Sequence, residues 1–293
     1  MHFTGRTWRP PYEAHSVILQ AAAGCTYRRC RFCGLYRDEP FRLSPLEELE
    51  EDLAEIKAWT PRARRVFLTG GNPFAMSYEQ LKRRALTIRD YLIKCQTIAM
   101  FASIRDIRSK ELWQLKKLRA TGINGLTIGT ESGDDQTLAL AGKGYTAADI
   151  LTQCQKLDEA GIEYYFVYMT GLAGAGGGAR NAAASAALFN RLNPRLLSVD
   201  SLTLLPGTEL YDMARSGAFR PAGERERIQE LQLLIRDLRL RVHLLADTST
   251  NFYPVSGILP RERGRLLGEL DGVLARTGEA EMAAYRASLR QLG

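Results

Sequence analysis

Short apolar runs rich in β-branched and aromatic residues recur along the chain: 16–22 (SVILQAA), 65–71 (RVFLTGG), 97–103 (TIAMFAS), 125–131 (GLTIGTE), 164–171 (YYFVYMTG) and 196–205 (LLSVDSLTLL). Runs of this length and composition predict buried strands. The segments between them have helical periodicity. Leu46, Leu49, Leu53 and Ile56 step by three and four and share one helical face. Ser44 is the expected N-cap of that helix, with Pro45 at its first position and Glu47 completing a capping box. Further helices are expected at 77–94, 109–120, 146–159, 180–192 and 208–216. Six successive strand–helix units with short connections predict an α/β fold with a parallel sheet wrapped in helices. A barrel and an open doubly wound sheet both fit that count. After Gly217 the rhythm changes to a long amphipathic helix, a polar aromatic stretch (DTSTNFYPVSGILP) and two more helical segments. The expected organisation is therefore a core over 1–217 and a C-terminal extension over 218–293 packed on it.

Composition narrows this little. The 293 residues suffice for one large domain, and 45% hydrophobic with 25% charged residues is ordinary for a soluble protein. No apolar run approaches a membrane span, and the N-terminal stretch lacks an apolar signal core, so a cytoplasmic protein is expected. The +7 net charge comes from basic residues scattered among acidic ones, which reads as a solvated surface. Five cysteines do not make a disulfide scaffold in a chain this long.

Three of those cysteines, Cys25, Cys30 and Cys33, lie within nine residues directly after the first strand. Loops at the C-terminal ends of parallel strands build active sites in α/β folds. Three thiolates with an open fourth position suit a [4Fe–4S] cluster with one unsaturated iron. Three-cysteine zinc with a distant fourth ligand such as His15 is the alternative, and spacing alone leaves both open.

The loop GCTYRRCRFCG resembles the cluster motif of the radical S-adenosylmethionine (SAM) superfamily, in the four-then-two spacing found in its coproporphyrinogen-oxidase-like branch of uncharacterised members. Phe32 matches the aromatic position that packs near the SAM adenine. FLTGGNPF resembles the Gly-Gly-Glu motif, with Gly70 and Gly71 present and Asn72 in place of the acid. Glu131, ending LTIGTE, matches an acid that binds the SAM ribose or amino acid moiety. GIEYYFVYMTGLAG resembles the fifth-strand motif, and LTLLPGTELYD a sixth-strand turn where backbone near Pro206 and Gly207 passes the cofactor. The likeness spans about residues 15–217.

The resemblance implies a partial (β/α)6 TIM-type barrel with the helical and extended tail appended. It implies iron ligation by Cys25, Cys30 and Cys33, and SAM contacts from Gly70, Gly71, Asn72, Glu131 and Phe32. Ser103 and Arg105, just past the third strand, are added as SAM contacts, with Arg105 able to pair the SAM carboxylate through its planar fork. The implied reaction is reductive cleavage of SAM to a 5′-deoxyadenosyl radical, which abstracts hydrogen from a substrate. An external one-electron donor of flavodoxin or ferredoxin type is implied. A small-molecule substrate is expected, with no nucleic acid and no membrane; action on RNA or a polypeptide, and a non-catalytic carrier of SAM, cluster or another cofactor, are the alternatives. On the substrate side, Asp247, Ser249, Asn251 and Tyr253 alternate and share a face if their segment is extended. Tyr36 and Arg37 are expected near the entrance.

Overall fold

The computed structural model describes residues 1–289. Its elements run β1 (Val17–Gln20), β2 (Ala22–Ala23), β3 (Arg42–Leu43), α1 (Leu46–Trp59), β4 (Arg65–Thr69), α2 (Tyr78–Tyr91), β5 (Thr97–Ala102), α3 (Ile104–Arg108), α4 (Leu112–Ala120) and β6 (Ile123–Glu131). They continue with α5 (Asp135–Leu140), α6 (Ala147–Ala160), β7 (Tyr164–Thr170), α7 (Gly178–Phe189), β8 (Leu196–Ser201), α8 (Glu209–Ser216), α9 (Glu224–Asp237), β9 (Val242–Ala246), β10 (Val255–Leu259), α10 (Arg263–Arg276) and α11 (Glu279–Leu289). The chain forms two compact units. One comprises residues 1–28, 35–128 and 153–164, and the other 29–34, 129–152 and 165 onward.

In the first unit β1, β4, β5 and the start of β6 are parallel neighbours in that order, with Val17 opposite Val66, Arg65 opposite Thr97 and Met100 opposite Leu126. Leu19, Val66, Phe67, Ile98, Ala99, Met100 and Leu126 are fully buried. Strands apolar on both faces are what a helix-covered parallel sheet requires. The expected strand over 16–22 divides at Ala21. Its first part joins the parallel sheet, and Ala22–Ala23 pairs antiparallel with Arg42–Leu43. That hairpin removes Ser44 from its expected capping role. Ser44 N–H donates to the Ala21 carbonyl at 3.1 Å, and the Ser44 carbonyl accepts from Arg84 at 2.7 Å. Pro45 is the N-cap of α1 instead, without a side-chain cap. The apolar face of α1 falls where the periodicity placed it: Leu49, Leu53 and Ile56 are buried.

In the second unit β7, β8 and β9 are parallel, and β10 closes the edge antiparallel to β9. These last two strands were not expected. Val242–Ala246 is one alternating run behind a long helix, Val255–Leu259 a second inside a polar stretch. Residues 218–289 thus share a unit with β7 and β8, and α9 packs along α7 and α10. The segment 247–254 is a series of turns rather than a strand. Its alternate residues therefore do not share a face. Asn251 is buried and donates to the Val199 carbonyl at 2.7 Å, while Asp247 and Ser249 are exposed.

Two ionic groups fasten α9. Arg286 of α11 makes a paired contact with Glu224 at 2.8 and 2.9 Å. Glu230, fully buried, accepts from Tyr168 Oη at 2.6 Å, Asn181 Nδ2 at 2.7 Å and Gly171 N–H at 2.8 Å. Burial nonetheless pushes its carboxyl from an ordinary 4.5 up to about 7. Between those values the folded chain keeps a proton that the unfolded chain has released. Stability therefore falls as pH rises through that window, by about 2–3 kcal/mol for this group. Chemical denaturation of the wild type between pH 5 and 8 is expected to show that decline, and Glu230→Gln to flatten it.

Candidate functional site

The first unit holds the start of the cysteine loop against a glycine turn. Gly71 N–H donates to the Gly24 carbonyl at 2.7 Å. A Cβ on Gly71 would lie 2.5 Å from the Cys25 Cβ, so only glycine permits this approach. Gly70, at φ +130°, turns the chain directly after β4.

Asn72 lies beside this turn with its side chain fully engaged inside the protein. Its Oδ1 accepts from Thr26 N–H at 3.0 Å, and its Nδ2 donates to Thr26 Oγ1 at 2.7 Å and to the Asp106 carboxylate at 3.1–3.2 Å. The side chain that replaces the motif acid thus ties the cysteine loop to α3. Asp106 is the acid the sequence reading missed. It is buried, and burial raises its carboxyl above the usual range while Ser103, Asn72 and Lys110 pull it back. Asp106 also forms a capping box with Ser103, which accepts from Asp106 N–H at 3.3 Å and donates its own N–H to Asp106 Oδ2 at 2.8 Å. The Ser103 hydroxyl is therefore a helix cap. Arg105 is exposed, its guanidinium 4.5 Å from the centre of the Tyr27 ring in the cysteine loop. Tyr36 is buried, and the Arg37 carbonyl accepts from Arg28.

The second unit holds Cys30, Phe32, Cys33 and Glu131. Cys33 N–H donates to the Cys30 carbonyl at 3.1 Å, closing a tight turn. Phe32 packs on a cluster that includes Ala141, Leu204 and Leu210. Glu131 ends β6 in the left-handed region at φ +63°, a strained setting for a residue with a Cβ. The neighbouring chain enforces it: Tyr145 Oη donates to the Gly129 carbonyl at 2.8 Å, Thr130 Oγ1 to the Val167 carbonyl at 2.8 Å, and Ser132 Oγ to Asn181 Oδ1 at 2.5 Å. The Glu131 carboxyl is buried, and burial raises it against the pull of Lys143. One oxygen faces the Lys143 ammonium at 3.4 Å; the other, Oε2, is buried with no hydrogen-bond partner. An orphaned carboxylate oxygen on strained backbone is what a ligand bearing hydroxyls or an amine would satisfy.

Asp200 is a second carboxylate that pattern reading did not mark. It lies near the end of β8, and its Oδ1 accepts from Thr248 at 2.6 Å and from Thr250 at 3.3 Å. Burial raises its carboxyl, and its charge acts on Glu131 in turn. The one signal for it in the sequence was its place at a strand end.

None of the five cysteines is in a disulfide. Among the described residues no three His, Cys, Asp or Glu side chains are grouped to hold a metal, and His15 is exposed. The donor chemistry nevertheless fits an iron–sulfur cluster: three soft thiols in one loop, a glycine turn with no room for a Cβ, and an unsatisfied buried carboxylate at another strand end.

Each of these groups lies at or just after the end of a strand, the place where α/β folds of the TIM-related class build their active sites. The family model described as the radical SAM superfamily matches residues 20–176, more than half of the chain, and the chain belongs to that superfamily. Its cofactors are accordingly a [4Fe–4S] cluster and SAM, and it is an enzyme. The heme chaperone HemW of Bacillus subtilis (strain 168) is 27% identical over 205 residues, covering 67% of this chain and 53% of HemW. Two solved structures share the fold. The radical SAM methyltransferase TsrM of Kitasatospora setae, with cobalamin and a [4Fe–4S] cluster bound, has a TM-score of 0.57 at 18% identity, covering 69% of this chain and 37% of TsrM. Coproporphyrinogen III oxidase (HemN) of Escherichia coli, a radical SAM enzyme, has a TM-score of 0.55 at 18% identity, covering 75% and 51%. The α/β fold with its mostly parallel sheet is thus the partial TIM-type barrel of these enzymes. The chain spans about half the length of HemW and of HemN. Among the described residues no helix is long and apolar enough to cross a membrane.

Replacing Asn72 by an acid of the same size is expected to harm rather than restore. Asn72→Asp sets a second carboxylate about 3 Å from Asp106 and removes the amide donor, which costs about 2 kcal/mol at pH 7. Urea titrations should show a smaller loss at pH 4, where one of the two acids is protonated.

Proposed function

We propose that Cys25, Cys30 and Cys33 ligate three irons of the cluster, and that the chain cleaves SAM reductively to act on a small molecule in the cytoplasm. The observation that carries this reading is the orphaned Oε2 of Glu131, held on strained backbone at a strand end of a chain with three clustered thiols. When bound, the reduced cluster supplies one electron to SAM, and carbon–sulfur cleavage gives methionine and a 5′-deoxyadenosyl radical that takes hydrogen from the substrate. The chain's own residues bind and orient. Glu131 receives ribose hydroxyls or the amino group of SAM. The Gly70–Gly71 turn offers main chain without side-chain obstruction, and Phe32 an apolar face. Asn72 and Ser103 act at one remove, by fixing the cysteine loop and α3. Arg105, exposed on Tyr27, is placed to meet a carboxylate. Asp200, steadied by Thr248 and Thr250, is a candidate for a polar or cationic group of the substrate. The electron comes from an external donor of flavodoxin or ferredoxin type.

A heme-related role is the second reading, favoured by the likeness to HemW and to HemN. It revives the non-catalytic carrier expected as an alternative from the sequence.

Anaerobic reconstitution tests both. The protein should bind about four irons per chain, turn brown, and bleach with dithionite. With SAM and reductant it should release 5′-deoxyadenosine, and Cys30→Ala should lose most of its iron. A colourless protein holding one zinc overturns the reading. A brown protein that binds heme tightly and never cleaves SAM favours the carrier.

A further inference from the structure

Lys143 has no place in the motifs read from the sequence, yet its ammonium is almost wholly enclosed beside two of the residues assigned to the cofactors. Its Nζ lies 3.4 Å from Glu131 Oε1, 5.8 Å from the centre of the Phe32 ring and 5.6 Å from that of Tyr145. Burial works against its charge, but the facing Glu131 carboxylate and the polar Tyr145 beside it outweigh that cost and hold the group protonated. A buried ammonium costs several kcal/mol of desolvation unless fixed partners repay it. Here the partners are a carboxylate whose second oxygen has no hydrogen bond and the faces of two aromatic rings.

The main chain explains how the lysine comes to stand there. The turn after α5 docks on the cysteine loop: Arg31 N–H donates to the Ala141 carbonyl at 3.0 Å, and a Cβ on Gly142 would lie 2.7 Å from the Arg29 carbonyl oxygen. The far side of the loop is pinned by Leu210 N–H to the Arg31 carbonyl at 2.9 Å and by Arg31 Nε to Glu209 at 2.9 Å. Lys143 follows Gly142 directly, so a backbone contact made at the loop aims the ammonium at Glu131. These contacts fix the segment 29–34 against the turn that carries Lys143.

We infer that Lys143 is a positioning residue for SAM cleavage: it pins one oxygen of Glu131 so that the other is presented to SAM, and it keeps a positive charge over Phe32, between Cys30 and Cys33 in the cysteine loop. The inference rests on the assignment of Cys30 to iron and Glu131 to SAM. Two consequences follow. Without the ammonium, Glu131 loses its orienting partner, and SAM binding weakens. A cation near a cluster ligand also favours the reduced state, which carries one more negative charge, so its loss makes the cluster harder to reduce.

The test uses the reconstituted full chain with Lys143→Met and Lys143→Arg, each checked for iron content and melting temperature. SAM affinity is read by equilibrium binding to the oxidised cluster, and the midpoint potential by electron paramagnetic resonance at poised potentials. Lys143→Met is expected to keep its iron, lose SAM affinity roughly tenfold, the scale of one charge-assisted hydrogen bond, and shift the midpoint to more negative potential. Lys143→Arg, which keeps the charge, should recover most of the potential. Wild-type affinity and potential in an iron-loaded Lys143→Met chain overturn the inference while leaving the assignment of the cofactor ligands intact. Failure of the wild-type chain to bind iron or SAM overturns that assignment instead, and the inference with it. If Lys143→Met does not fold, Lys143→Gln, which retains a donor without the charge, is read by the same two measurements.

Discussion

The contact on which the site depends is a main-chain one, Gly71 N–H to the Gly24 carbonyl. It brings the turn after β4 against the start of the cysteine loop at a separation that no side chain would tolerate. Everything placed nearby follows from that closeness. Asn72 can reach both the backbone and the hydroxyl of Thr26 because the two turns abut. Asp106 can then join from α3, and Arg105 of the same helix comes to rest over Tyr27. A loop that carries three cysteines but no secondary structure of its own needs such external fastening, since ordering its backbone costs about 1–2 kcal/mol per residue.

Replacement of an acid by Asn72 in the glycine motif moves the negative charge rather than deleting it. The amide bridges Thr26 to Asp106, so a carboxylate remains behind the glycine turn, one helix further along the chain. Burial raises the Asp106 carboxyl, but the Ser103 and Asn72 donors keep it engaged. A position read as a lost ligand is, in three dimensions, the middle of a hydrogen-bonded chain.

Much of the architecture was legible because the physics was local. Six of the eight strands in the first 217 residues, β1, β4, β5, β6, β7 and β8, were marked by apolar runs that a helix-covered sheet demands, and α1, α2, α4, α6, α7 and α8 by periodicity. What escaped was set by distant partners. Ser44 carries every mark of an N-cap, but Ala21 and Arg84 claim its backbone. β9 and β10 are short strands whose identity depends on having β8 and each other to pair with. The alternating polar residues after Ala246 form turns because Asn251 and the two threonines bond back to β8. In the site, the cysteines and Glu131 stood out by spacing and by place at strand ends. Lys143, Asp106 and Asp200 lie in ordinary-looking contexts and acquire meaning only through burial.

Glu131 holds a backbone conformation that glycine or asparagine would adopt with less strain. A library diversified at this codon and sorted for folding alone should drift toward those two residues, whereas one sorted for turnover should retain the acid. Thermostabilisation by consensus or by automated redesign would need to exempt this position, since the change most favourable to the fold there is the one that discards the buried carboxylate.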